Sequence, residues 1–172
     1  RPRDIITKLV ILKDLSKETG RNGDHFAYEE FDNPTFKRRY SDYLLGEIKD
    51  HLIFYYGSDE YELFLKFFEF LKGKHKFTYE EYLAAFDKFR KTIDGMGLEA
   101  PKFMSNAGTF LQFLYALNVI CYIERPANDK PYVRWCFRER SYANIAPKVK
   151  QGVTYQVFYG LYKALNVGQE IM

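Results

Sequence analysis

Two runs rich in β-branched and aromatic residues, Val119 to Glu124 and Tyr132 to Arg138, constrain the fold of this chain more than any other feature. The segment between them, Arg125-Pro126-Ala127-Asn128-Asp129-Lys130-Pro131, carries the Pro, Asn and Asp of a loop, so the two runs read as an antiparallel hairpin. The long segments ahead of them have the apolar spacing of helices. A mainly α protein with one hairpin follows. Its 172 residues suit one domain or two small ones, and a composition 47% hydrophobic and 19% aromatic is ample for a packed core.

From Asp4 to Glu18, Ile5, Ile6, Leu9, Val10 and Leu12 recur near the helical period, with Gly20 and Gly23 as the stop. Asn33 as N-cap and Pro34 at the first position start a second helix that runs to about Tyr56 and ends at Gly57. Tyr40, Tyr43, Leu44, Glu47, Ile48, His51, Leu52 and Tyr55 share one face of it, expected to pack on the first helix. Ser58 is expected to cap a helix from Asp59 to Lys72, apolar on more than one face. Thr78 and Glu81 form a capping box for the helix from Tyr79 to about Ile93, which turns Tyr82, Leu83, Phe86 and Phe89 inward. A further helix begins near Ser105 and carries Phe110, Leu111, Phe113, Leu114 and Leu117 to about Asn118. Beyond the hairpin, Arg140 to Gly152 reads as irregular. Val157, Phe158, Leu161, Tyr162 and Leu165 then predict a terminal helix over Val153 to Val167.

The chain opens without an initiator Met, directly on a helical pattern, and reads as a piece of a longer protein. The run RPRDII at residues 1–6 and the run RRYSDYLLGEIKD at residues 38–50 resemble the lid region of STAND-like and AAA+-related P-loop ATPases. In those proteins an Arg at the base of a lid helix senses the nucleotide phosphates, and the lid often continues into a winged helix. Three helical segments followed by a hairpin is the winged-helix plan. The resemblance implies a helical lid-like segment over 1–57, a winged-helix domain over 58–140 and a C-terminal tail over 141–172 with a docking helix. It implies Arg1 and Arg3 as the nucleotide sensor, since guanidinium offers phosphate a rigid fork of donors. The alternative for both is a solvated basic terminus. ATP and Mg would be cofactors of the full-length parent. This chain has no G-x-x-x-x-G-K-[ST] loop, so it is read as having no cofactor and no ATPase activity of its own.

Charge does not choose a partner, because 26 basic and 23 acidic residues leave a net charge of only +3. A DNA-reading helix needs side chains that reach phosphates and base edges. From Asn106 to Asn118 there is no Arg or Lys, and the polar side chains are Asn106, Thr109, Gln112, Tyr115 and Asn118. The wing is better supplied. Arg125, Lys130, Arg134 and Arg138 are its candidate nucleic-acid contacts, with Tyr122 and Trp135 either stacking on bases or pairing across the strands. The expected role is therefore regulatory docking on the parent's own ATPase core or on another subunit, with DNA binding through the wing as the alternative and oligomer formation left open.

Cys121 and Cys136 fall on facing strands of the expected hairpin, where a bridge is conceivable, but free buried thiols are the expectation for a cytoplasmic protein. His25, His51 and His75 have no ligand spacing, so no metal site is read. Glu47 and His51 stand one turn apart; without a nucleophile or metal nearby they read as a surface hydrogen bond, and no catalytic residue is assigned. No apolar run approaches the roughly 18 residues of a membrane span, and no membrane partner is expected.

Overall fold

Local signals place most of the helices in the computed structural model, which describes residues 2–21, 23–125, 130–143 and 148–168. Helix α1 spans Pro2–Glu18, a short α2 spans Tyr28–Asp32 and α3 spans Pro34–Tyr55. Asn33 caps α3 through its side-chain oxygen, which accepts from the N–H groups of Thr35 and Phe36 at 2.8 and 3.3 Å. Helix α4 covers Ser58–Glu69. Its N-cap is Gly57 rather than the expected Ser58, which is already helical. Gly57 has φ 145°, a backbone conformation that favours glycine. Helix α5, Tyr79–Gly95, begins on the expected capping box: Thr78 accepts from the Glu81 N–H, and the Glu81 carboxylate accepts from the Thr78 N–H. Helix α6, Ala107–Ala116, is capped by Asn106.

Four short strands follow a different logic, because apart from the β2–β3 hairpin their pairings join segments distant in sequence. They are β1 Lys76–Thr78, β2 Ile120–Glu124, β3 Tyr132–Arg134 and β4 Thr154–Val157, in the antiparallel order β1-β4-β2-β3. The expected hairpin is present, with Tyr122 opposite Arg134 and Glu124 opposite Tyr132. Its second strand is shorter than read, since Cys136–Ala143 forms helix α7. The terminal helix read over Val153 to Val167 is not formed. Thr154–Val157 is instead a central strand, with Phe77 opposite Tyr155 on one side and Tyr122 opposite Tyr155 on the other. After β4 the chain makes a 3₁₀ turn at Tyr159–Leu161. Of the apolar residues that gave Val153 to Val167 its helical spacing, Val157, Leu161 and Leu165 join the core and Phe158 and Tyr162 pack against it.

The large core lies between α4, α5, α6 and the sheet. Phe64, Phe67, Phe89, Phe110 and Tyr82 are fully buried there, and Phe67 meets Phe110 edge to face at 4.8 Å. Burying each such ring stabilises the fold by about 1.5–3 kcal/mol. Helix α3 was expected to give one face to α1, but it divides its contacts. Leu44, Ile48 and Leu52 enter or border the large core. Tyr40 joins a separate small cluster of Leu12, Leu15 and Phe36 between α1 and α3, and Tyr43 donates to Asp4 at 3.1 Å. Tyr55 is exposed. The turn after β4 locks onto α3, where the Ala164 N–H donates to the buried Ser41 hydroxyl at 2.9 Å.

Candidate functional site

Helix α6 is the segment in which the sequence reading sought a recognition helix, so the use of the polar side chains in and just after it bears on what it could read. Asn106, Gln112, Tyr115 and Asn118 are spent on the chain itself. Gln112 Oε1 accepts from the Val149 N–H at 2.9 Å, and Asn118 Oδ1 accepts from the Phe137 N–H at 3.2 Å in the first turn of α7. Tyr115 and Tyr122 both donate their hydroxyls to Glu139 of α7, the second at 2.7 Å. Burial, followed by hydrogen bonding to that carboxylate, pushes both tyrosine hydroxyls well above their ordinary range. The segment after β3 thus folds back over α6. Sequence reasoning missed Glu139, because its partners come from α6 and β2.

The wing cations are also partly committed. Arg134 Nε donates to Glu124 at 2.8 Å, and its guanidinium lies 5.6 Å from the centre of the Tyr132 ring. Lys150, which the sequence reading left out, bonds the other oxygen of Glu124 and sits over the Tyr122 ring. The hydrogen bonds from Lys150 and Arg134 hold the Glu124 carboxyl below its ordinary value. Arg125, Lys130 and Arg138 are exposed. Tyr122 and Trp135 do not pair across the strands. Tyr122 is buried against Tyr115 and Tyr155, while Trp135 meets Phe137 and Phe158.

At the other end, Arg1 lies outside the described residues. Arg3 is joined to Glu47 of α3 in an exposed ion pair, and His51 packs on Tyr55 with ring centroids 4.7 Å apart. The outer side of α1 is bare: Ile5 and Ile6 are 63% and 62% exposed, and Leu9 and Val10 are 41% and 49% exposed. A cleft beside the C-terminal half of α1 is lined by Lys13, Lys17, Arg21 and His25. Within it Glu30 accepts from the Ser16 hydroxyl and the Ala27 N–H, which lower its pKa.

Cys121 and Cys136 are free and buried, one in β2 and the other at the start of α7, so they do not face each other across a hairpin. Burial pushes the Cys121 thiol up to about 11. Among the described residues no cluster of three or more His, Cys, Asp or Glu could hold a metal ion, and no helix is long and apolar enough to cross a membrane. No family model, curated protein or solved structure matches the chain.

Proposed function

We propose that this chain is the non-catalytic C-terminal regulatory and protein-interaction region of a STAND-like P-loop ATPase, and that its α4–α6 and hairpin module is a winged helix that docks on protein. The occupied face of α6 carries the argument. Gln112, Tyr115 and Asn118 are bonded to the segment from Phe137 to Val149, and the helix has no Arg or Lys to meet a polyanion. The bare apolar side of α1 supports the same reading. A helix apolar on two sides calls for a partner on each, and α2 and α3 cover only the side of Leu12 and Leu15. The second would be the parent's ATPase core or another subunit, in the cytoplasm. Arg3 fits the sensor role because its exposed pair with Glu47 is worth about 0–1 kcal/mol, a small cost to exchange for a phosphate. That phosphate, with Mg, would belong to the parent's nucleotide site.

The competing reading is a DNA-binding module using Arg125, Lys130, Arg134 and Arg138, favoured by the exposure of Arg125 and Arg138. A gel-shift titration at about 150 mM salt separates the two. Protein docking expects at most non-specific binding, on the order of 10⁻⁴ to 10⁻⁶ M, that changes little when Arg125, Lys130 and Arg134 become Ala. Nanomolar, sequence-dependent binding abolished by those substitutions would make the wing a DNA reader.

A further inference from the structure

Helix α1 sorts its charges by side. All three of its carboxylates serve α3. Asp4 accepts from the Tyr43 hydroxyl at 3.1 Å, Glu18 takes both ends of the Arg39 guanidinium at 3.0 and 2.8 Å, and Asp14 acts electrostatically on the same arginine. Lys8 also turns inward, over the Phe31 and Tyr40 rings. The outer side keeps what is left. Ile6, Leu9, Val10, Lys13 and Lys17 are linked by steps of three or four residues within one helix, so they form a continuous stripe with no carboxylate in it.

The stripe has two halves. Its N-terminal half is aliphatic and bare, with Ile5 beside Leu9. Its C-terminal half runs into the cleft lined by Lys13, Lys17, Arg21 and His25. Lys13 and Lys17 are exposed and have no carboxylate partner among the described residues. The carboxylates of that cleft are already engaged. Glu30 is largely buried and accepts from the Ser16 hydroxyl and the Ala27 N–H, while Asp24 is bonded to His25 at 2.7 Å. A row of aliphatic side chains therefore leads into a concave site whose unpaired charges are positive.

That charge pattern chooses the occupant. A second copy would set lysine against lysine in a parallel pairing and lysine against isoleucine in an antiparallel one, with no carboxylate on either stripe to meet them. A lipid surface suits a helix with basic residues along its whole length and aromatic rings on its apolar side. Here the lysines gather at one end, beside a cleft, and α1 has no aromatic residue. A helix with aliphatic residues at matching spacing and carboxylates towards one end meets both halves. Its ridges fit the grooves among Ile6, Leu9 and Val10, and its carboxylates reach Lys13, Lys17 and Arg21.

We infer that the outer stripe of α1, with the basic cleft it leads into, docks an acidic amphipathic helix of a partner protein. This rests on the protein-docking reading and names the surface and the partner's chemistry. The aliphatic half supplies the buried contact area, and the lysines set the orientation and exclude basic helices.

Fluorescence anisotropy of a dye-labelled helical peptide, titrated with the intact chain, tests the assignment. The peptide places Leu along one face and Glu towards one end, and a matched peptide carries Lys for Glu. Vesicles of equimolar phosphatidylcholine and phosphatidylserine are compared by co-sedimentation. The Glu peptide should bind saturably, and the Lys peptide at least about tenfold more weakly. Ile6→Ser, and separately Lys13→Glu with Lys17→Glu, should each weaken the Glu peptide by about tenfold. Lys88→Glu on α5 should change it by less than about twofold, and circular dichroism should stay the same throughout, since all these side chains are exposed. Absence of saturable binding up to ~1 mM chain, equal binding of the Lys peptide, or an equal loss in the Lys88 variant would overturn the inference. Vesicle binding tighter than that of the Glu peptide, and lost in the Ile6 and double-lysine variants, would reassign the stripe to lipid. If the peptide fails while the gel shift stays negative, protein docking stands through another surface.

Discussion

The two hydrophobic clusters of this molecule solve the same problem to different depths. Around α4, α5, α6 and the sheet, aromatic rings interlock until Phe64, Phe67, Phe89 and Phe110 have no exposure. Between α1 and α3 the buried set is only Leu12, Leu15 and Phe36, while Ile5, Ile6, Leu9 and Val10 face outward on the same α1 helix. The difference is one of partners rather than composition. The central helices are enclosed on several sides, but α1 meets only α3 and the short α2 on its inner side and keeps apolar residues on its outer side. Buried apolar surface is thus concentrated in one region, and α1 in the other carries four exposed aliphatic side chains.

The sharpest test removes one core side chain from each cluster. Phe110 touches Phe64, Phe67, Phe86 and Phe103, so Phe110→Ala should cost about 3–5 kcal/mol in urea unfolding. Leu12→Ala should cost about 2 kcal/mol, because the thin cluster around it can collapse onto the gap. Equal costs would mean that the two clusters are one core in energetic terms.

A smaller effect asks whether the regions open together. Thr78→Ala and Asn33→Ala each remove a helix cap worth about 1 kcal/mol. Amide hydrogen exchange should quicken along the first turn of α3 and in α1 for Asn33→Ala, while amides of α4 to α6 keep their protection. A uniform loss of protection in that variant would erase the distinction between the regions.

The smallest effect concerns acid. The hydrogen bonds from Lys150 and Arg134 depress the folded pKa of Glu124, so their stabilisation is complete above the ordinary carboxylate value of 4.5 and is lost as the pH falls through the lower folded value. Glu81, bonded to Lys74 and to the Thr78 N–H, follows the same sign. Glu124→Gln should therefore flatten the acid limb of a melting-temperature profile slightly, by well under about 1 kcal/mol for a largely exposed pair. An unchanged acid limb would show that the Glu124 pairs add nothing to the hairpin.

The sequence by itself determined the hairpin and the helices other than α2 and α7. Asn33 before Pro34, the Thr78 and Glu81 box, and the glycines at 20 and 57 act within one turn of chain, and the 3.6-residue period is a local property. The β-branched and aromatic run of Val119 to Glu124 and the loop chemistry after it located the hairpin for the same reason. Only the tertiary structure decided the rest. Thr154–Val157 lies in a stretch with helical apolar spacing, yet it pairs with Lys76–Thr78 and Ile120–Glu124, partners that no local window contains. Cys136–Ala143 became a helix because Asn118, Tyr115 and Tyr122 bond it from two other elements. The covered face of α6 and the bare side of α1 are likewise statements about which surfaces meet. A short segment takes the conformation that buries its apolar side chains and satisfies its backbone, and only the assembled chain says where those partners are.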